Sequence, residues 1–258
     1  MTLDFRLEQR IDAPLERVWE ACATTRGLAR WQADVVMGQM QRDGRLDLGW
    51  PALGTSLSVT VTALVERKEV VFDSGGSRVR LGFTPEQVVL EHEGLEPGDD
   101  IEGVASSWRL SLALLAHSLQ SHAGRDRHAI WLLDRARTTA GAAHAFFTDA
   151  AALGTWLGTG EGLGPTGSRV ALRCPWGDRI SGRVLAHTPE RDLALTWPED
   201  GDSVLCLRTL PSPRTLEERL LLVYWSRWSD AEPPAERQRG LSTALGRLAR
   251  NLDRSPEA

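Results

Sequence analysis

The segment from Ile11 to Trp31, IDAPLERVWEACATTRGLARW, limits what this chain can fold into more than any other. Pro14 suits a first helical position, where its fixed φ fits and its missing amide proton costs nothing. Leu15, Val18, Trp19 and Cys22 follow at i, i+3, i+4 and i+7, one apolar face of a short helix. Thr24-Thr25 can cap a second short helix that carries Leu28 and closes on Trp31. A weaker copy lies 125 residues later, where Val18 falls on Ala143, Ala21 on Phe146, Leu28 on Leu153 and Trp31 on Trp156. Neither helix pair can bury its apolar face alone. The chain is therefore expected to hold two copies of one module, each closing a helix pair on its own sheet.

Around the first helix pair the period is two. Phe5, Leu7, Gln9 and Ile11 share one face of a strand, with Asp4, Arg6, Glu8 and Arg10 on the other. Strands are predicted over 34–41, 45–50, 54–65, 69–73, 77–83 and 87–94, separated by turn residues such as Asp43-Gly44 and Gly75-Gly76. Their links are too short for parallel crossovers, so the sheet is an antiparallel meander. The strand 54–65 is expected to place Leu57, Val59, Val61 and Ala63 on one face. Ile101, Val104, Ala105, Trp108, Leu112, Leu115 and Leu119 then make an unbroken stripe along a helix over 101–122, capped by Asp99 or Asp100.

Ser121 to Arg127 reads as a linker between domains at 1–123 and 128–258. In the second, strands are predicted over 129–133, 169–174, 178–187, 192–197, 203–210 and 215–225, and a closing helix over 234–252. Gly54 matches Gly177 at an offset of 123, and Glu66-Arg67 matches Glu190-Arg191 at 124. The Ala13-Pro14 start has become Thr138-Thr139, Trp19 has become His144, and the last helix opens on the polar run PAERQRG. The second copy is degenerate.

Few chemical motifs stand out. No segment reaches the ~20 apolar residues of a membrane span, and the alternating N-terminus lacks a secretory h-region. Cys22, Cys174 and Cys206 are odd in number and far apart, which suits a reducing cytoplasm better than a disulfide framework. A net charge of −5 gives no reason to expect nucleic acid. Residues 162–167, GLGPTG, match a dinucleotide fingerprint in letters, but a strand rather than a helix follows, so they read as an inter-strand loop. His117 and His122, five apart, are expected on different helix faces and not as a metal pair. His92 is read as part of a solvated strand edge, with an inward polar anchor as the alternative.

The IDAP-x3-VW helix, the short helix ending in Trp31, the meander and the long helix with its early Trp108 together resemble the START-like (SRPBCC, helix-grip) superfamily. The resemblance is nearest to its AHSA branch, named after an activator of the Hsp-ninety ATPase. It implies an α+β chain of two tandem helix-grip domains, each a curved antiparallel sheet wrapped around a long C-terminal helix. It also implies a cavity between helix and sheet; some relatives bind lipids, hormones or aromatic polyketides, some cyclise or dehydrate polyketides, and some bind a chaperone. We expect a non-enzymatic site for a small apolar or lipid-like ligand in the first domain, lined by Trp31, Trp50, Phe72, Trp108, Leu112 and Leu115. No catalytic residue, metal or cofactor is assigned. The alternatives are a protein-interaction module, which would show exposed aromatic residues, and a cyclase or dehydratase, which would need polar groups such as His92 and Arg80 to converge in the pocket.

Overall fold

The computed structural model describes residues 3–254; the outer ends of the two expected domains, 1 and 258, lie outside the described residues. The chain divides into two compact units, Met1–Arg127 and His128–Ala258.

In the first unit, β1 (Leu3–Arg10) leads into α1 (Leu15–Cys22) and α2 (Thr25–Ala29). Six strands follow: β2 (Val35–Gly38), β3 (Arg45–Trp50), β4 (Thr55–Val65), β5 (Glu69–Ser74), β6 (Ser77–Phe83) and β7 (Gln87–Glu93), before α3 (Ile101–Ser121). The sheet order is β1-β7-β6-β5-β4-β3-β2, wholly antiparallel, so the first strand returns beside the last. Residues Leu46, Leu48, Val59, Val61, Val70, Leu81, Val88 and Leu90 are buried on the inner face, and α3 packs along β1 with Ala105, Leu112 and Leu115 buried. The helix starts where expected because the Asp100 carboxylate accepts the Gly103 amide at 3.0 Å.

The second unit repeats the plan. Its elements are β8 (His128–Arg137), α4 (Ala140–Thr148), α5 (Ala150–Gly154), β9 (Thr159–Gly160), β10 (Arg169–Arg173), β11 (Arg179–Thr188), β12 (Asp192–Trp197), β13 (Ser203–Pro211), β14 (Glu218–Arg227) and α6 (Ala235–Arg254). The order β8-β14-β13-β12-β11-β10-β9 matches the first sheet strand for strand. Both units are therefore helix-grip folds, α+β, each a seven-stranded antiparallel sheet with a long C-terminal helix. At two residues, β9 is too short to leave a periodicity and was not expected.

The strongest point of identity lies in the helix pairs. Trp31 is buried and its indole Nε1 donates to the Ala21 carbonyl at 3.0 Å. Trp156 is buried and donates to the Phe146 carbonyl at 2.9 Å. In both cases the acceptor stands 10 residues earlier, on the last turns of the preceding helix.

Three expectations change. The register of β4 against β5 shifts between Val61 and Ala63, so Thr62 is bulged and Ala63 turns to the outer face, paired with Val71. The matching shift on β11 lies between Val184 and Ala186. The following turns also agree at an offset of 123, not 124: Arg67 and Glu190 both take left-handed backbone, with φ of 57° and 60°. Trp19 is only half-buried, packing edge-on against Phe83 at 5.7 Å, while Ala21 shares the buried face with Val18 and Cys22.

Removing the indole donor from either copy should loosen both units alike. Trp31→Phe and Trp156→Phe are each expected to lose about 1–3 kcal/mol, from an unpaired carbonyl and the smaller ring. Urea unfolding of the two variants measures this; a loss confined to one copy would contradict the equivalence.

Candidate functional site

The six residues expected to line a ligand site occupy two environments in the first unit. Trp31, Phe72, Leu112 and Leu115 are buried. Trp50 and Trp108 are half-buried, and the Trp50 indole donates to the Gln32 carbonyl at 3.2 Å. Along the α3 stripe, Ala105 and Leu112 are each 1% exposed, while Trp108 between them is half-buried, as are Val104 and Leu119.

His92 faces inward, against the solvated-edge reading. Alternation on β7 buries Val88, Leu90 and His92 and leaves Glu91 and Glu93 half-buried on the other face. Its ring stacks on Phe5 at 5.1 Å with a 13° interplanar angle. Nδ1 lies 3.9 Å from Asp4 Oδ2 and has no hydrogen-bond partner. Burial lowers the His92 pKa, only partly opposed by the charges of Asp4 and Asp99, so the ring is held neutral.

Arg80 does not join it. Arg80 is exposed on the outer face, donating to Glu69 at 2.8 Å and Glu91 at 2.9 Å. Arg6 also reaches Glu91 at 2.8 Å. A depression of about 430 Å³ opens on that face beside Thr62, Ala63, Val71 and Arg78. His92 and Arg80 thus stand on opposite sides of one sheet and cannot act on one substrate. The large apolar side chains left exposed, such as Val35, Met37, Leu57 and Ile101, are aliphatic, so the aromatic patch expected of an interaction module is not among the described residues.

His117 and His122 meet, contrary to expectation, with ring centroids 5.3 Å apart in an edge-to-face arrangement. The helix ends at Ser121, and His122 is its C-cap with φ −134° and ψ 29°, so helical spacing no longer applies. Beside them a recess of about 260 Å³ is lined by Arg17, Glu20, Arg30, His122 and Arg125.

In the second unit a cluster of charges is set at the start of the last helix. Asp200 accepts from Trp225 Nε1 at 2.9 Å and from Arg227 Nε at 3.2 Å, and it also accepts from Arg237. Arg237 forms a bidentate pair with Asp178 at 2.8 and 2.9 Å and lies over the Trp197 ring at 4.7 Å. Arg227 stands over Trp225 at 5.1 Å. The polar opening of the last helix is therefore an anchor: Arg237 projects from it into a cage of aromatic rings and carboxylates. Gly240, one turn on, leaves room for Trp176; a Cβ there would stand 2.4 Å from the indole. Burial alone would raise the Asp178 carboxyl, but hydrogen bonds from Arg237 and Trp176 and the Arg237 charge outweigh it and hold the pKa below the usual carboxylate value.

None of the three cysteines is a poised nucleophile. All are buried; burial raises the Cys22 thiol out of reach and pushes Cys174 up to about 12. No helix among the described residues is long and apolar enough to cross a membrane.

Residues 12–120 match the family model described as activator of Hsp90 ATPase homolog 1-like protein, a match lying within the first unit. Among solved structures, the chain is similar to the di-domain ARO/CYC BexL from the BE-7585A biosynthetic pathway. That match has a TM-score of 0.43 at 14% identity and covers 99% of this chain and 100% of that one. It is also similar to DynU16, a putative protein in the dynemicin biosynthetic locus, with a TM-score of 0.42 at 17% identity, covering 96% and 98%. The Aha1 dimer from Colwellia psychrerythraea matches with a TM-score of 0.41 at 17% identity, covering 46% of this chain and 96% of that one. No curated protein matches the chain.

Two measurements check the ionic cage. Asp200→Ala leaves Arg227 without its carboxylate and Arg237 with Asp178 alone, and should cost about 3–5 kcal/mol in denaturant unfolding. Asp178, with its folded pKa depressed, contributes stability that is present above its unfolded pKa near ~3.9 and lost as pH falls through the folded value. The stability difference between the parent and Asp178→Asn should accordingly shrink below about pH 4.

Proposed function

We propose, for a chain whose first unit carries the AHSA-type match and whose second repeats the helix-grip fold, that the first unit binds a small apolar or lipid-like ligand between α3 and the inner sheet face, without catalysis. The observation that carries this reading is Trp108, half-buried on a stripe whose neighbours Ala105 and Leu112 are closed. A large flat side chain at the mouth of an apolar layer offers contact area to an incoming apolar group. Trp50 is the second such side chain. Phe72, Leu112 and Leu115 form the apolar floor, and Trp31 holds the helix pair that closes the wall. His92, its pKa lowered by burial and its Nδ1 without a hydrogen-bond partner, supplies a polar anchor on the inner face. The second unit is structural in this reading, because Arg237 and its carboxylates pin the start of α6.

The test uses purified full-length protein. An organic extract analysed by mass spectrometry should contain a co-purified apolar molecule. A hydrophobic dye should bind and be displaced by that extract. Trp108→Ala should weaken dye binding by roughly tenfold or more, the loss expected when ~2 kcal/mol of apolar contact is removed. An empty extract together with dye binding indifferent to Trp108→Ala would overturn the proposal.

A further inference from the structure

The second unit holds a pair of histidines that the ligand-binding reading does not use. His144 lies on α4 and His187 on β11, 43 residues apart, and their Nε2 atoms face each other at 2.8 Å. The ring centroids are 5.0 Å apart with a 24° interplanar angle, so the rings meet end to end and nearly coplanar, and both are half-buried. His187 reaches this position through the bulge on β11. Val184 is in the core, and simple alternation would send Ala186 inward and His187 outward. The register shift between Val184 and Ala186 reverses that parity and turns His187 to α4.

The tautomers follow from the partners. His187 Nδ1 lies 3.0 Å from the Gly164 carbonyl, which can only accept, so Nδ1 carries the proton and Nε2 presents its lone pair. His144 must then donate Nε2–H across the 2.8 Å gap. A metal-ligating histidine typically has this arrangement, its second nitrogen donating to a backbone carbonyl that fixes ring and tautomer. The glycine-rich loop at 162–167, which carries no nucleotide signal, thus has a definite role through Gly164.

We propose that His144 and His187 form a two-imidazole site for a divalent d-block cation such as Zn²⁺, bound through both Nε2 atoms and completed by water. Two nitrogens at Zn–N distances of about 2.0–2.1 Å and tetrahedral angles stand roughly 3.3 Å apart, so the pair opens by only ~0.5 Å. His144 passes from its Nε2–H to its Nδ1–H tautomer, and no proton leaves the protein. Burial and the neighbouring His187 lower the His144 pKa, so protons compete weakly with metal at neutral pH. Glu190, whose carboxylate acts on His144 in the opposite sense and lies beside the first turn of α4, places a negative charge near the dication. The half-burial of both rings leaves the remaining coordination positions open to solvent.

Tag-free, chelator-treated full-length protein tests this with Co²⁺ and Zn²⁺ alone. The parent should bind one Co²⁺ per chain, with visible d–d absorption displaced by Zn²⁺, and Zn²⁺ should raise the melting temperature. His144→Ala and His187→Ala should each abolish both effects; His144→Gln and His187→Gln, which retain hydrogen bonding, should abolish them with an unchanged near-ultraviolet spectrum. His117→Ala/His122→Ala should bind like the parent. Absence of binding in the parent, binding that survives the loss of both His144 and His187, or loss of binding in the His117/His122 variant would overturn the site.

Discussion

Each unit depends on one hydrogen bond between an indole and a helix end. The last carbonyls of a helix have no partner within it, and a short helix has proportionally more of them. Trp31 and Trp156 solve this by returning after a second short helix and donating to a carbonyl of the first, while the ring fills the space beneath. One side chain thereby supplies a donor and a large apolar area at the same place. Two helices too short to be stable alone become a single lid over the sheet. This interaction survives in both copies, whereas the proline start and Trp19 do not, since a cap or an edge contact has several chemical substitutes.

The units differ in what lies under the long helix. The first is mainly aliphatic and aromatic there, with Ser106, His117 and Ser118 of the helix also buried and His92 Nδ1 without a hydrogen-bond partner. The second replaces part of that layer with Asp178, Asp200, Arg227 and Arg237 set among Trp197 and Trp225. Buried ion pairs contribute little net stability against an apolar alternative, but they tolerate only one geometry. A layer built this way holds its helix in one register and has no slack for a guest. This contrast underlies assigning the ligand to one copy and a structural role to the other.

The sheet order, the long helices and the duplication were legible because they rest on periodicity and turn residues, which are properties of neighbours in sequence. The period of two was strong enough to place β3 through β7 within a residue or two. What failed involved a break in that period or a meeting of distant residues. The bulge at Thr62 moved Ala63 to the other face, and its twin on β11 turned His187 inward. The end of α3 at Ser121 brought His122 back to His117. His92 looked solvated because glutamates flank it; alternation put those glutamates out and the imidazole in. Arg237 looked like surface because the run around it is polar, and its carboxylates at 178 and 200 lie far away in sequence. Among the residues proposed for the site, the tryptophans were chosen by type and spacing, but spacing could not separate Trp31, closed in the core, from Trp108, which is half-buried.

The paired bulges also bear on how the two copies could drift apart. Side-chain direction along a strand counts residues, so an extra residue at one point acts as a parity inverter for everything after it. Both copies kept the inverter at the same place in the ladder while the residues beyond it changed from Ala63-Leu64 to Ala186-His187. Substitution could therefore proceed freely at those positions, because each remained on a fixed side of the sheet. A single-residue deletion at the bulge would have exchanged inside for outside over the rest of the strand in one step. The irregularity thus works as a reading frame for the sheet.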